Sequence, residues 1–319
     1  MAVVTVKQPI LLERSGCPSC AGTSWQILLR EPYEGPISSF LQQQYAGRAR
    51  PGQLADSFYE LVRCRECGLA YQRTVPGEQL LNEVYEEWIP PSERERLLRA
   101  RDVYEPSYWA EQVHFLIEHL RRKPYEIRVL DFGMGWGEWA NMARAFGCEV
   151  YGSELSVERL KYAHSIGIPT LDWQQIARHR FHFINTEQVF EHLLEPLATL
   201  RHLAGSLEPD GVIKISVPNS AGALRAVSRQ GSFMALSAEH RMAVQPLEHV
   251  NCFEFRTLAR LAARAGLEPV RPSLRLIYNS SSGWVSLRRA LHLLARPIYR
   301  HWYPKSTFTY FVRSDRGSH

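Results

Sequence analysis

The chain has 319 residues, 45% hydrophobic and 22% charged, with a formal net charge of +5. This composition excludes fibrous, collagen-like and disordered classes and leaves a globular protein with room for about two domains. Residues 284–305 hold Arg288, Arg289, Arg296, Arg300 and Lys305 and no acid, so this segment alone equals the net charge. The balanced remainder argues against a broad nucleic-acid-binding surface.

At the N-terminus, Lys7 and Glu13 come before any apolar run could form a signal-peptide core, and no window approaches the length of a membrane span. The expected location is the cytoplasm. Of six cysteines, Cys148 and Cys252 read as small buried residues, while Cys17-Pro-Ser-Cys20 and Cys64-Arg-Glu-Cys67-Gly68 form two knuckles. Four thiolates suit a closed, tetrahedral, structural zinc site, with a redox dithiol as the alternative. The pairs are too far apart for a compact ribbon, so residues 21–63 are expected to loop out of a zinc-ribbon-like domain. That domain spans residues 1–85, and a second spans 86–319.

Ser92 and Glu95 carry a capping signature for a helix running to Leu120, with Val113, Leu116, Ile117 and Leu120 at helical spacing. Strands and helices then alternate: "YEIRVLDFG", "GEWANMARAFG", "CEVYGSE", "SVERLKYAHSIG", "FHFINTEQ", "EPLATLRHLAGSL", "GVIKISVPN" and "FRTLARLAARAG". The fold class predicted is α/β, a doubly wound, Rossmann-like sheet, parallel over most of its width. "LEPVRPSLRLIYN" and "TFTYFVRS" read as two further strands.

Within "VLDFGMGWGEWA", glycines directly after a first parallel strand let the backbone approach a ligand at the sheet edge. The spacing is Gly133-x-Gly135-x-Gly137 with Glu138 next, so the dinucleotide fingerprint G-x-G-x-x-G is absent. Asp131 would repel a pyrophosphate and attract an ammonium group. Glu154, ending the second strand, is placed to accept from both hydroxyls of a ribose. An adenosine carrying an amino acid meets both demands.

Through "VLDFGMGWG", "VYGSELS", "FINTEQVFEHLLEP", "LEPDGVIKISVPN" and "LEHVNCFEFRTLARLAARAGL", in that order, the chain resembles the class I S-adenosylmethionine-dependent methyltransferases over roughly residues 92–313. The resemblance implies a seven-stranded sheet with its last strand antiparallel. It implies that Asp131, Gly133 and Gly135, with Phe132 and Met134 between them, line the methionine end of S-adenosyl-L-methionine. Glu154 would take the ribose, Leu155 the adenine face, Asp172 and Trp173 the adenine edge, and Gln188 the aminocarboxylate end. The family often starts the strand before Gln188 with Phe-Asp, and here it is Phe181-His182. "ELVRCRECGLAYQRTVPGEQLLNEVYEEW" resembles the zinc-binding front domain of methyltransferases that tailor sugars and polysaccharides, with Cys17, Cys20, Cys64 and Cys67 as the metal ligands.

Methyl transfer from a sulfonium needs an aligned nucleophile and a base where that nucleophile carries a proton. Glu191 and His192 follow the fourth strand, and Glu248 and His249 follow the fifth. His249 is the first choice for the base, its basicity raised by Glu248, while His192 also reads as a residue bonding to backbone. In sugar C-methyltransferases of this group the segment reads Tyr-His-Glu-His, whereas here it is Pro246-Leu247-Glu248-His249 followed by Cys252-Phe253. That departure favours oxygen methylation.

Residues 220–246 read as a substrate lid, with Arg225, Arg229 and His240 as contacts to an anionic acceptor, or as a surface excursion. In 284–305, Trp284, Leu287, Leu291, Leu294 and Ile298 share one helical stripe. The stripe is expected to pack on the sheet; the alternative is peripheral contact with a membrane bearing a lipid-linked substrate. The function expected is O-methylation of a small-molecule or glycan acceptor in a biosynthetic pathway. Its alternatives are sugar C-methylation, RNA methylation with the zinc domain on the nucleic acid, and a non-catalytic cofactor-binding scaffold.

Overall fold

The computed structural model describes residues 9–89, 96, 99, 104–279, 287–303 and 309–314. The chain divides into two compact units. The first comprises Met1–Ala100, Glu191–Leu194 and Ser220–Cys252, and the second Arg101–Phe190, Glu195–Asn219 and Phe253–His319.

In the first unit, β1 (Leu11–Glu13) pairs antiparallel with β5 (Thr74–Pro76). A second, antiparallel sheet has the order β10-β4-β3-β2, built from β2 (Trp25–Pro32), β3 (Phe58–Cys64), β4 (Ala70–Gln72) and β10 (Asn251–Cys252), with strands numbered along the whole chain. Residues 21–63 therefore do not loop out. They form the β2–β3 pair, running from Trp25 opposite Cys64 to Pro32 opposite Phe58 with a register shift between Ile27 and Leu29, and with a helix at Pro36–Gln44 between the strands. Burial drives this: Leu29, Tyr33, Ile37, Leu41, Tyr59 and Leu61 all fall inside one apolar core.

That core also takes residues from 220–252, a stretch that includes residues 220–246, read as a lid of the second domain. The helix Ala221–Gln230 buries Ala223, Leu224 and Val227, one face at helical spacing, and Phe233, Leu236, Val244 and Leu247 follow them inside. Phe233 meets Phe40 and Tyr59 edge-on at centroid distances of 4.9 and 5.8 Å. A segment with this many buried anchors is part of a core, which is why 220–252 belongs to the first unit.

The second unit is a sheet of order β11-β12-β9-β8-β6-β7. Its strands are β6 (Arg128–Phe132), β7 (Glu149–Ser153), β8 (Phe181–Glu187), β9 (Leu207–Ser216), β11 (Leu267–Val270) and β12 (Thr309–Arg313). The four strands β7-β6-β8-β9 are parallel, and β12 runs antiparallel to β9 and β11, as expected of the last strand. Helices at Glu138–Ala145, Val157–Ser165, Pro196–Gly205 and Phe255–Arg264 alternate with the strands. Val129, Leu130, Ile184, Ile213 and Ile215 are fully buried, the near-continuous apolar run of strands covered on both faces.

The expected seventh strand is, among the described residues, a single parallel bridge between Gly152 and Thr170. Pro169 has no N–H to extend the ladder, and Asp172 turns the chain into the helix Trp173–Ile176 by accepting from the Gln175 N–H. "LEPVRPSLRLIYN" is also not one strand: β11 ends at Val270, and Leu274–Asn279 is a helix started by a hydrogen bond from the Leu276 N–H to Ser273 Oγ. Pro272 stops the pairing.

The helix Leu287–Pro297 turns its expected stripe outward. Leu291, Leu294 and Ile298 are 59%, 57% and 50% exposed, while Leu293 and Arg296 are buried. Arg296 forms a buried ion pair with Glu111 at 2.5 Å, which fixes the face the helix presents inward. Ser92, Glu95, Trp284, Lys305 and the side chains of Leu287, Arg288 and Arg289 lie outside the described residues. Among the described residues no helix is long and apolar enough to cross a membrane.

Candidate functional site

Strands β6, β7 and β8 run parallel, so their carboxyl ends share one edge of the second unit's sheet, where doubly wound folds bind ligands. The glycine loop leaves β6 there with Gly133, Gly135 and Gly137 at φ of +70°, +57° and +74°. Its amides at Gly133 and Met134 donate to the Ser153 carbonyl at 2.8 and 3.1 Å. A Cβ on Gly135 would meet nothing within 4 Å, so this position borders open space. Met134 turns its side chain into the core and leaves only backbone on the loop.

Glu154 follows β7. Its Oε2 accepts from the Gly135 N–H at 2.9 Å, and its Oε1 from Leu155 and Ser156 N–H at 2.8 and 3.1 Å. A carboxylate has about four acceptor positions; these three amides leave one, on Oε2, for a ribose hydroxyl. Leu155 is 92% exposed, an apolar side chain offered to a flat ring. Trp173 stacks on His202 at a centroid distance of 3.7 Å, and Asp172 is engaged as the cap of the following helix. Gln188 is exposed and holds φ +54°, a left-handed conformation for a non-glycine residue at a strand end.

Asp131 has a different place from the one its sequence position implies. It is buried, and its carboxylate accepts from the Ala140 N–H at 3.2 Å and from Asn185 Nδ2 at 2.8 Å, bracing the loop to the helix Glu138–Ala145. Behind it the fully buried Lys214 donates to Asn185 Oδ1 at 3.2 Å and bonds Gln112 and Glu187, which also accepts from Tyr108 at 2.7 Å. Burial pushes the Asp131 carboxyl up to about 7, against the pull of Asn185 and Lys214. The same burial lowers Lys214, with Glu187 opposing. One cue to this network stood in the sequence: a lysine inside the apolar run "VIKIS" has to find partners.

The first unit gathers the four acid and base residues picked from the sequence. Pairing of β10 with β4 lays 245–252 along Gln72, whose amide donates to the carbonyls of Gln245 and His249 and accepts from the Leu247 N–H. The Asn251 N–H donates to the Glu191 carbonyl at 3.0 Å, and Arg14 ties Val250 and Leu194 together through their carbonyls, both at 3.0 Å. His192 and His249 thereby stand with ring centroids 4.9 Å apart. His192 Nδ1 bonds the Glu248 carbonyl at 3.0 Å, the backbone contact foreseen for it.

The Glu248 carboxylate does not serve His249. It accepts from the Tyr45 hydroxyl and from Gln245 Nε2, and burial raises it. The carboxylate beside an imidazole is that of Glu191, 3.9 Å from His192 Nε2. Burial lowers His249 to about 4, and burial with the nearby His249 lowers His192 to about 3, so both rings are neutral at neutral pH. Their basicity is reduced, contrary to the expectation for His249. Tyr45, Gln72 and Arg14 were not foreseen as parts of this site; Tyr45 joins it across 203 positions of sequence. Of the lid residues, Arg225 and Arg229 are exposed and His240 is half-buried.

The cysteine pairs converge. Cys17 and Cys67 sulfurs are 3.5 Å apart, as are those of Cys20 and Cys64, and all four lie within 4.8 Å of one another. Zinc–sulfur bonds of about 2.3 Å place thiolates of one tetrahedron about 3.8 Å apart, so this quartet fits that ion. The two knuckles are alike: the Ala21 N–H returns to the Cys17 carbonyl and the Gly68 N–H to the Cys64 carbonyl, with Ala21 and Gly68 both at positive φ.

A family model described as "Methyltransferase domain" matches residues 100–271, more than half of the chain. The ubiquinone biosynthesis O-methyltransferase of Parvibaculum lavamentivorans is 27% identical over 146 residues, covering 42% of this chain and 58% of that protein. This chain thus spans less than two thirds of that relative's length. Among solved structures, the plantazolicin methyltransferase BamL, in complex with a triazolic desmethylPZN analog and SAH, aligns with a TM-score of 0.46 at 16% identity, over 74% of this chain and 94% of that one. A TehB-like SAM-dependent methyltransferase from Corynebacterium glutamicum aligns with a TM-score of 0.40 at 17% identity, over 70% and 96% of the two chains.

Proposed function

This chain belongs to the methyltransferase-domain family, and on that premise we propose that it is an S-adenosylmethionine-dependent methyltransferase acting on an oxygen of a small-molecule or glycan acceptor. One observation carries the cofactor: the Glu154 carboxylate closes the open glycine cradle at Gly135, at the carboxyl edge of the parallel sheet. The cofactor would bring a methyl group on a sulfonium, ready for in-line displacement. The chain's own groups would bind and orient it: Glu154 the ribose, Leu155 and Trp173 the adenine, and the bare backbone of the loop at Gly133 and Gly135 with the Gln188 side chain the amino-acid end. Asp131 holds the loop in shape and gives the site negative charge.

For acid–base work the residues proposed are His249, His192 and Glu248 of the first unit, whose neutral imidazoles keep lone pairs for a proton. Oxygen is preferred over carbon because 246–249 lacks the tyrosine-histidine pair of the C-methylating group, and because the P. lavamentivorans relative is an O-methyltransferase. Sugar C-methylation gains one observation, since Tyr45 supplies a tyrosine hydroxyl to Glu248 from elsewhere in the chain. The cysteine quartet is proposed to hold a structural zinc ion. The acceptor is expected to be anionic or lipid-linked, in keeping with Arg225, Arg229 and the exposed apolar stripe of 291–298.

Calorimetry with S-adenosylmethionine, then mass spectrometry of an extract incubated with isotopic methyl donor, tests the reading. We expect cofactor binding and a labelled hydroxyl-derived ether or ester. No binding overturns the proposal, and binding without S-adenosylhomocysteine formation favours the scaffold.

A further inference from the structure

We propose that Glu191, His192 and His249 form a second metal site, one that takes a divalent transition cation through two imidazoles and a carboxylate. One ligand atom from each of the three residues lies within 4.8 Å of the others, inside the first unit and apart from the cysteine quartet. Glu191 is 1% exposed and His249 9%.

The orientation of the rings is the second, independent observation. A metal-binding imidazole uses one nitrogen for the ion and donates the other N–H to a carbonyl or carboxylate, which fixes the tautomer and aims the lone pair. The His192 ring is held this way. His192 Nδ1 bonds the Glu248 carbonyl at 3.0 Å, leaving Nε2 as the lone-pair nitrogen, 3.9 Å from Glu191 Oε1. The His249 Nδ1 is buried without a hydrogen-bond partner. A backbone carbonyl thus orients His192, and a buried His249 nitrogen stands with it beside one buried carboxylate.

The positions of these residues are set by backbone bonds. The Asn251 N–H holds the Glu191 carbonyl, Arg14 spans 194 and 250, and Gln72 fixes the carbonyl of His249. Little side-chain ordering is left to oppose ion binding. Two nitrogens and an oxygen suit zinc, manganese, iron or cobalt better than magnesium or calcium, and three protein ligands leave room for a further one. A cation there would acidify a bound hydroxyl, which is the proton-handling role of this cluster; that last clause rests on the methyl-transfer reading, the binding itself does not.

The test uses the full chain, loaded with cobalt(II) and dialysed. At saturation we expect two kinds of cobalt: one with intense sulfur charge-transfer absorption, from the cysteine quartet, and one with only weak nitrogen/oxygen ligand-field bands. His249→Gln and Glu191→Gln should each bind one equivalent fewer, losing the second spectrum and keeping the first. A wild-type spectrum that is entirely thiolate-ligated at saturation overturns the proposal whatever the variants do. An unchanged cobalt count in both variants overturns it as well. Calorimetry of S-adenosylmethionine on the same samples reports separately on the methyltransferase reading.

Discussion

Glu154 is the single side chain on which the cofactor reading depends most. Glu154→Gln keeps the shape and removes the charge that accepts from the loop amides and, in our reading, from the ribose. A hydrogen bond to a charged group contributes about 1.5–3 kcal/mol, so S-adenosylmethionine should bind roughly ten- to a hundredfold more weakly, read by calorimetry. Asp131 sets the pH dependence. Its folded-state pKa of about 7 stands above the ordinary 3.8, so between these values the native state binds more protons than the unfolded chain, and ionisation costs stability as pH rises through that window. A cofactor bearing an ammonium group favours the ionised form. Affinity should therefore climb with pH up to about 7 and level off above it; His192 and His249, lowered to about 3 and 4, stay neutral there and contribute no slope. Titrations at several pH values that show affinity falling with pH would contradict this role for Asp131.

At the scale of elements, two glycines of one loop separate folding from binding. A Cβ at Gly133 would come 2.5 Å from Val189 Cγ2, on a backbone at φ +70°. Gly133→Ala should cost about 1–3 kcal/mol of stability in chemical denaturation. Gly135 has an equally strained φ of +57° and open space around it. Gly135→Ala should show the smaller loss of stability and the larger loss of cofactor affinity, and equal effects of the two on binding would count against an open cradle at Gly135. This loop was legible in the sequence because its signal is local: apolar strand, acid, alternating glycines, amphipathic helix. So was the parallel order of β6 to β9. The outward turn of Leu291, Leu294 and Ile298 was not legible, since Arg296 finds Glu111 only through the fold, 185 positions away. The same holds for Tyr45 on Glu248 and for Asp131, whose position implied a ligand contact while its burial made it a brace. Periodicity tells which residues share a face and leaves open which face is covered.

At the scale of the whole molecule, the first unit is assembled from distant parts of the chain, and this decides where it tolerates a cut. Composition and punctuation put a boundary near residue 85, yet the core that contains Leu29, Tyr33, Phe40, Leu54 and Tyr59 also contains Leu224, Val227, Phe233, Leu236, Val244 and Leu247. These last six are at most 3% exposed. A fragment of residues 86–319 would strip them of their partners and expose an apolar surface that folded proteins rarely present. Fully burying such side chains contributes about 1.5–3 kcal/mol each, so the fragment should lose order in 220–252, bind a hydrophobic dye strongly and aggregate, while the full chain does neither. The cysteine quartet supplies the complementary test from the other end of the unit. Cys64→Ser, at the end of β3, removes one of four thiolates; it should abolish binding of the zinc ion proposed there and open β2 and β3 to proteolysis at Arg30 and Arg63. Because Tyr59 of β3 donates to the Val244 carbonyl at 2.7 Å, the loosening should reach 238–252 and show there as faster amide hydrogen exchange. Protection of 238–252 that is unchanged in Cys64→Ser would mean that this core does not depend on the metal.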